Sequence, residues 1–231
     1  MRSFVVFLLL GAVRFLSRVF YRFESRWIGV PPADRWKGIR VVALLNHTSL
    51  YEPILLGVVP LSFVWRVARH GVVPAASKTT KRPIVGLFFK LIARNVVSIS
   101  RERDHTWAEV LASIEPDSMV AITPEGRMKR RNGLDSHGQP MTVRGGIADI
   151  LEAIPQGRML LAYSGGLHHV QAPGELLPRV FKTVRINLEV VEIADYRRAV
   201  LGERDPAEWK ALVKADMERR RDLHCPPPEP D

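Results

Sequence analysis

His47 and Glu52 stand five residues apart in the segment Leu44-Leu-Asn-His-Thr-Ser-Leu-Tyr-Glu-Pro53. A carboxylate beside an imidazole makes a proton-transfer unit. It fixes the tautomer and steadies the imidazolium, while the other ring nitrogen takes a proton from a substrate hydroxyl. On one continuous helix a separation of five would turn the two side chains about 140° apart. Across a strand-to-helix turn they meet, and the segment has an apolar run before His47 and a proline just after Glu52. The bland alternative is a loop histidine with a glutamate that caps a helix. Glu is a poorer cap than Asp, Ser, Thr or Asn, which takes weight from that alternative.

Two further segments carry groups suited to an anion. In Ile122-Thr-Pro-Glu-Gly-Arg-Met-Lys-Arg-Arg131, Gly126 lets the backbone approach a ligand, and Arg127, Lys129, Arg130 and Arg131 supply charge for a phosphate or a carrier. Charge runs are more often solvated loops. In Asn95-Val-Val-Ser-Ile-Ser-Arg101, Arg101 closes a strand-like run. Three strand ends that each deliver polar residues mark the edge where an open α/β sheet holds its ligand.

The elements needed to position these groups are legible as apolar periodicity. Strands are expected at Ile39–Leu45, Val96–Ile99, Ser118–Ile122, Met159–Tyr163 and Val184–Ile193. Helices are expected at Pro53–Val59, Thr80–Arg94, His105–Ile114, Val143–Ile154 and Pro206–Leu223. The alternation predicts an α/β fold with a mostly parallel or mixed sheet flanked by helices. At 231 residues and 46% hydrophobic content the chain suits one domain with short appendages.

Thirty-four Lys plus Arg against 24 Asp plus Glu give a net charge of +10, so an anionic partner is expected. Cys225 is the single cysteine, which excludes a disulfide framework and a cysteine-based zinc site. Phe4–Val13 is an apolar run too short for the roughly 20 residues that span a bilayer. Arg14, Arg18, Arg22 and Arg26 follow at a spacing of four, with Phe15, Val19, Phe23 and Trp27 beside them. Read as a helix, this is an amphipathic membrane-associated segment, and residues 1 to 27 are a removable appendage.

The ordered set Asn46-His47-x-x-x-x-Glu52, Val96-Val-Ser-Ile-Ser-Arg101 and Pro124-Glu-Gly126 resembles the first three motifs of the glycerolipid (lysophospholipid) acyltransferase superfamily. Arg144-Gly-Gly146 resembles the basic step that follows the third motif. The resemblance covers roughly residues 35 to 195. It implies that His47 is the general base and Glu52 its acidic partner, with Arg101, Glu125, Gly126 and Arg127 at the acceptor site. It also implies acyl-CoA or acyl-carrier protein as donor, a lysophospholipid-like or other lipid acceptor, and no metal or resident cofactor. Loop N–H groups near Gly126 are candidates for holding the oxyanion. The sequence departs from the family at Glu52, where Asp is usual, at Asn95 in place of a glycine, and at Arg127-Met128 in place of Thr-Arg.

The organisation this implies has a membrane-associating helix over 1–30, an acyltransferase domain over 31–224 and a disordered Pro-rich tail over 225–231. The protein is expected on a membrane, peripheral at the cytoplasmic face, in lipid biosynthesis. Two rivals remain. A serine esterase would use Ser164 in Ala162-Tyr-Ser-Gly-Gly166 with Asp195 and His224, but that elbow needs a helix directly after the serine. A basic nucleic-acid binder is permitted by charge but lacks any zinc-finger, aromatic RNA-binding or helix-turn-helix signature, so no nucleic-acid partner is expected. The adjacent His168 and His169 point apart and make poor metal ligands.

Overall fold

The computed structural model describes residues 2–76, 95–99, 105–175 and 177–228. Seven strands form one sheet: β1 (Arg22–Trp27), β2 (Ile39–Leu45), β3 (Gly71–Ala76), β4 (Asn95–Ile99), β5 (Met119–Ile122), β6 (Arg158–Ser164) and β7 (Thr183–Glu192). Their order is β1-β7-β6-β2-β5-β3-β4. The five strands from β6 to β4 run parallel, and β7 turns antiparallel against β6 with Ser164 opposite Ile186. β1 then pairs parallel with β7. The carboxyl ends of β2, β5 and β6 therefore share one edge with the amino ends of β1 and β7.

The central strands are apolar on both faces because both are covered. From β2 and β6, Val41, Ala43, Leu45, Met159, Leu161 and Tyr163 face α4 (Gly146–Ala153), α5 (Ile193–Leu201) and α6 (Trp209–His224). Leu160 and Ala162 face the other way, toward α1 (Arg2–Phe20), a 3-10 helix (Glu52–Val58) and α2 (Leu61–His70). Ile39 and Val41 lie on opposite faces although two residues apart, because a register irregularity falls between them. The remaining described α-helix, α3 (His105–Ala112), puts Trp107 against the first face. Its ring leaves no room for a side chain at Gly146, where a Cβ would lie 2.8 Å from it.

The α/β architecture expected from the sequence is the one observed. Several details differ. The helical stripe expected through Trp27 stops at Phe20, and Arg22–Trp27 is an edge strand. A spacing of four is also a multiple of two, so Arg22 and Arg26 share a strand face as readily as a helix face. α2, β3 and α5 were not anticipated. The expected helix over residues 80 to 94 and the motif residue Arg101 lie outside the described residues. At the other end, Cys225 is half-buried against the core, and burial pushes its thiol up to about 12.

Candidate functional site

The turn after β2 is built to hold an imidazole in one place. Asn46 adopts φ 64°, a left-handed conformation that Asn tolerates better than most residues, and this redirects the chain off the strand. The 3-10 helix that follows begins at Glu52, with Pro53 next to it. His47 Nδ1 and Glu52 Oε2 are 2.6 Å apart, and Glu52 Oε1 accepts the Thr48 N–H at 3.0 Å. Both carboxylate oxygens are thereby engaged, and the carboxylate on Nδ1 selects the tautomer that carries its proton there. The pair is mostly shielded, with side-chain exposures of 16% for His47 and 8% for Glu52.

A second carboxylate supports the turn from beneath. Glu125, in the loop just after β5, is 1% exposed and accepts from Asn46 N–H at 2.9 Å and His47 N–H at 3.1 Å. Burial raises its carboxyl pKa, while those two N–H donors, His47 and Arg221 oppose the rise. Arg221 Nη1, from α6, lies 3.7 Å from Glu125 Oε1 and donates to Met141 O. Further ties close the turn from β6: Asn46 Nδ2 donates to Ser164 O, and Leu167 N–H donates to Thr48 Oγ1. Ser49 Oγ donates to Gln171 Oε1 at 2.6 Å.

The loop after β5 lies against the same turn, since Lys129 N–H donates to His47 O at 2.8 Å. Gly126 sits at φ 66°, where a side chain would be strained, and its N–H donates to Thr123 O. That N–H is therefore occupied within the loop rather than offered to an oxyanion. Arg127 pairs with the buried Asp135. Backbone donors from Gln139 and His137, with the Arg127 guanidinium, hold the Asp135 carboxyl at about 2. Arg130 and Arg131 line an open cleft of about 390 Å³ with Asn132 and residues 172–175.

The structure thus brings His47, Glu52, Glu125, Gly126 and Arg127 to one edge. Asn46 was visible as part of a motif, whereas Thr48, Gln171 and Arg221 carried no sequence signal, because each acts through a partner distant in the chain; Asp135 has local partners, but no motif marked it. The esterase geometry is not formed. Ser164 is fully buried, its hydroxyl accepts from Gly166 N–H at 3.0 Å, and the chain after it is a loop. His168 and His169 place their Nε2 atoms on the carbonyls of Lys129 and Thr183, and no metal-binding cluster occurs among the described residues.

No protein-family model matches the chain, and no curated protein matches it. Among solved structures, it is similar to the crystal structure of the 1-acyl-sn-glycerophosphate (LPA) acyltransferase PlsC from Thermotoga maritima. The TM-score is 0.53 at 15% identity, over 96% of this chain and 81% of that one. The two proteins share a fold.

Proposed function

We propose that the protein is an O-acyltransferase that moves a fatty acyl group from a thioester carrier to a hydroxyl of a lyso-lipid. The observation that carries this reading is the His47–Glu52 pair, held by both carboxylate oxygens at the carboxyl edge of a parallel sheet. A thioester is already activated, so no enzyme nucleophile is required. With Nδ1 on Glu52, His47 Nε2 takes the proton of the acceptor hydroxyl as its oxygen attacks the thioester carbonyl. The tetrahedral intermediate collapses, the C–S bond breaks, and the imidazolium returns its proton to the departing thiolate. The shared fold supports the acyl-transfer class, and acyl-CoA and acyl-carrier protein are the donors to compare. Arg130, in the cleft where Arg131 lies 3.9 Å from Glu175, supports a phosphorylated donor or acceptor.

The membrane supplies the acceptor. α1 is 19 residues long with mean hydropathy 1.9, long and apolar enough to cross a membrane. Its Val6, Leu10 and Ser17 are buried against the domain, and Arg14 Nε donates to Val59 O at 2.7 Å. These ties favour a helix lying on the bilayer surface with its opposite, apolar side in the lipid.

The test incubates purified protein with labelled acyl-CoA or acyl-carrier protein and a panel of lyso-acceptors, with products identified by mass. General-base catalysis contributes about 10² to 10⁴ in rate, so His47→Ala should cut transfer by that order while the fold persists. Glu52→Gln should cost less, and Ser164→Ala should retain transfer. A fully active His47→Ala overturns the mechanism.

A further inference from the structure

Beyond α1, three exposed apolar side chains, Leu177, Val180 and Phe181, lie close together in the chain. Leu177 is 76% exposed and Phe181 71%, in the loop that leads into β7. This loop is tied to the C-terminal end of α1 through its backbone. Phe181 N–H donates to Phe20 O at 2.7 Å, and Arg22 N–H donates to Lys182 O at 3.1 Å. The Phe20 and Phe181 rings meet at 5.9 Å. Phe181 holds φ 60°, a conformation that is unfavourable for a bulky residue and persists only where surroundings enforce it. The Phe20 contact and the two backbone bonds hold that conformation and leave most of the Phe181 ring in solvent.

We infer that the 177–181 loop is a second membrane-contact element, which inserts Val180 and Phe181 into an anionic lipid surface beside the end of α1. The inference rests on the surface-lying reading of α1 and adds a contact that α1 does not provide. The occupant follows from charge. Residues 1 to 23 contain Arg2, Arg14, Arg18 and Arg22 and no Asp or Glu, and residues 177 to 183 contain Arg179 and Lys182 and no Asp or Glu. Arg179 is held by Glu175, whose oxygens accept from its Nη1 at 3.0 Å and its Nη2 at 2.7 Å; apolar tips beside Lys182, Arg18 and Arg22 match an anionic phospholipid headgroup layer, with the rings in the acyl boundary. Because the backbone already pins the loop, insertion requires no ordering step. Topology adds direction. Thr183 lies beyond Ser164 on the carboxyl edge of the sheet, so the loop and the His47 turn lie on one side of the protein.

Full-length protein is tested by co-sedimentation with phosphatidylcholine vesicles that contain phosphatidylglycerol. The double variant Val180→Ser with Phe181→Ser should lower the apparent partition coefficient by about tenfold or more, given the apolar area withdrawn. Its thermal unfolding should match the parent, because both side chains are exposed in the free protein. Phe181→Trp should add fluorescence that vesicles shift to the blue and that lipids with a shallow nitroxide quench. Unchanged partitioning of the double variant, with the parent still bound, overturns the loop contact and leaves the α1 reading intact. Failure of the parent to bind overturns both. A parent that is dimeric without vesicles, and that the double variant makes monomeric with no change in partitioning, assigns the face to a second copy and also overturns the proposal.

Discussion

Glu125 is the residue whose position says most about how the site is held. Its two oxygens take the N–H groups of Asn46 and His47, so it fixes the backbone that carries the imidazole rather than the imidazole itself. The sequence resemblance implied an acceptor-site role, and this contact was beyond the sequence because it joins residues on different strands. Gln offers one acceptor and places an amide against a backbone donor, so Glu125→Gln should lower kcat more than it alters KM; full turnover would remove the positioning role. A pH effect should accompany it. Burial raises the Glu125 carboxyl, so the folded chain holds that proton more tightly than the unfolded one. Its contribution to stability is complete below the ordinary glutamate range and is lost as pH rises through the raised folded value. Denaturant midpoints across that window should fall for the parent relative to their low-pH level and stay flatter for Glu125→Gln.

Elements with strong apolar character were legible, and those whose pattern had two readings were not. Ile39–Leu45 is the same span in sequence and structure, because a continuous β-branched run has few other uses. Thr183–Glu192 differs from expectation by one residue at each end. β1 escaped because Arg-Phe-Glu-Ser-Arg-Trp is polar and its spacing suits two periods. α2 and β3 escaped because three basic residues and Pro74 interrupt the apolar runs. The consequence is experimental. Deleting residues 1 to 27 should not leave a folded core, since it removes a sheet strand together with the buried Val6, Leu10 and Tyr21. Each apolar side chain withdrawn from a core costs about 2 to 5 kcal/mol. Circular dichroism should show loss of cooperative unfolding; a truncated form that melts like the parent would mean that β1 contributes little.

At the scale of the whole molecule, α1 and the dyad are mechanically close. α1 packs on the 3-10 helix that begins at Glu52, with Arg14 bonded to Val59 just past its end. If α1 takes the proposed interfacial seat, the His47 turn lies near the bilayer surface, where the proposed acceptor would be presented. The attraction should have an electrostatic part, given the net charge of +10. Raising salt from about 0.1 M to about 1 M shortens the Debye length from ~10 Å to ~3 Å, so binding to anionic vesicles should weaken measurably but not vanish. Complete release by salt would mean that the apolar face contributes nothing. The pairing of β1 with β7 also has a temporal side. On the ribosome β1 emerges early, yet the strand it must zip onto is among the last parts of the sheet to be synthesised. Until β7 is made, the nascent chain carries α1 and β1 without the strand that seats β1 in the sheet, so the two ends of the chain must be brought together last.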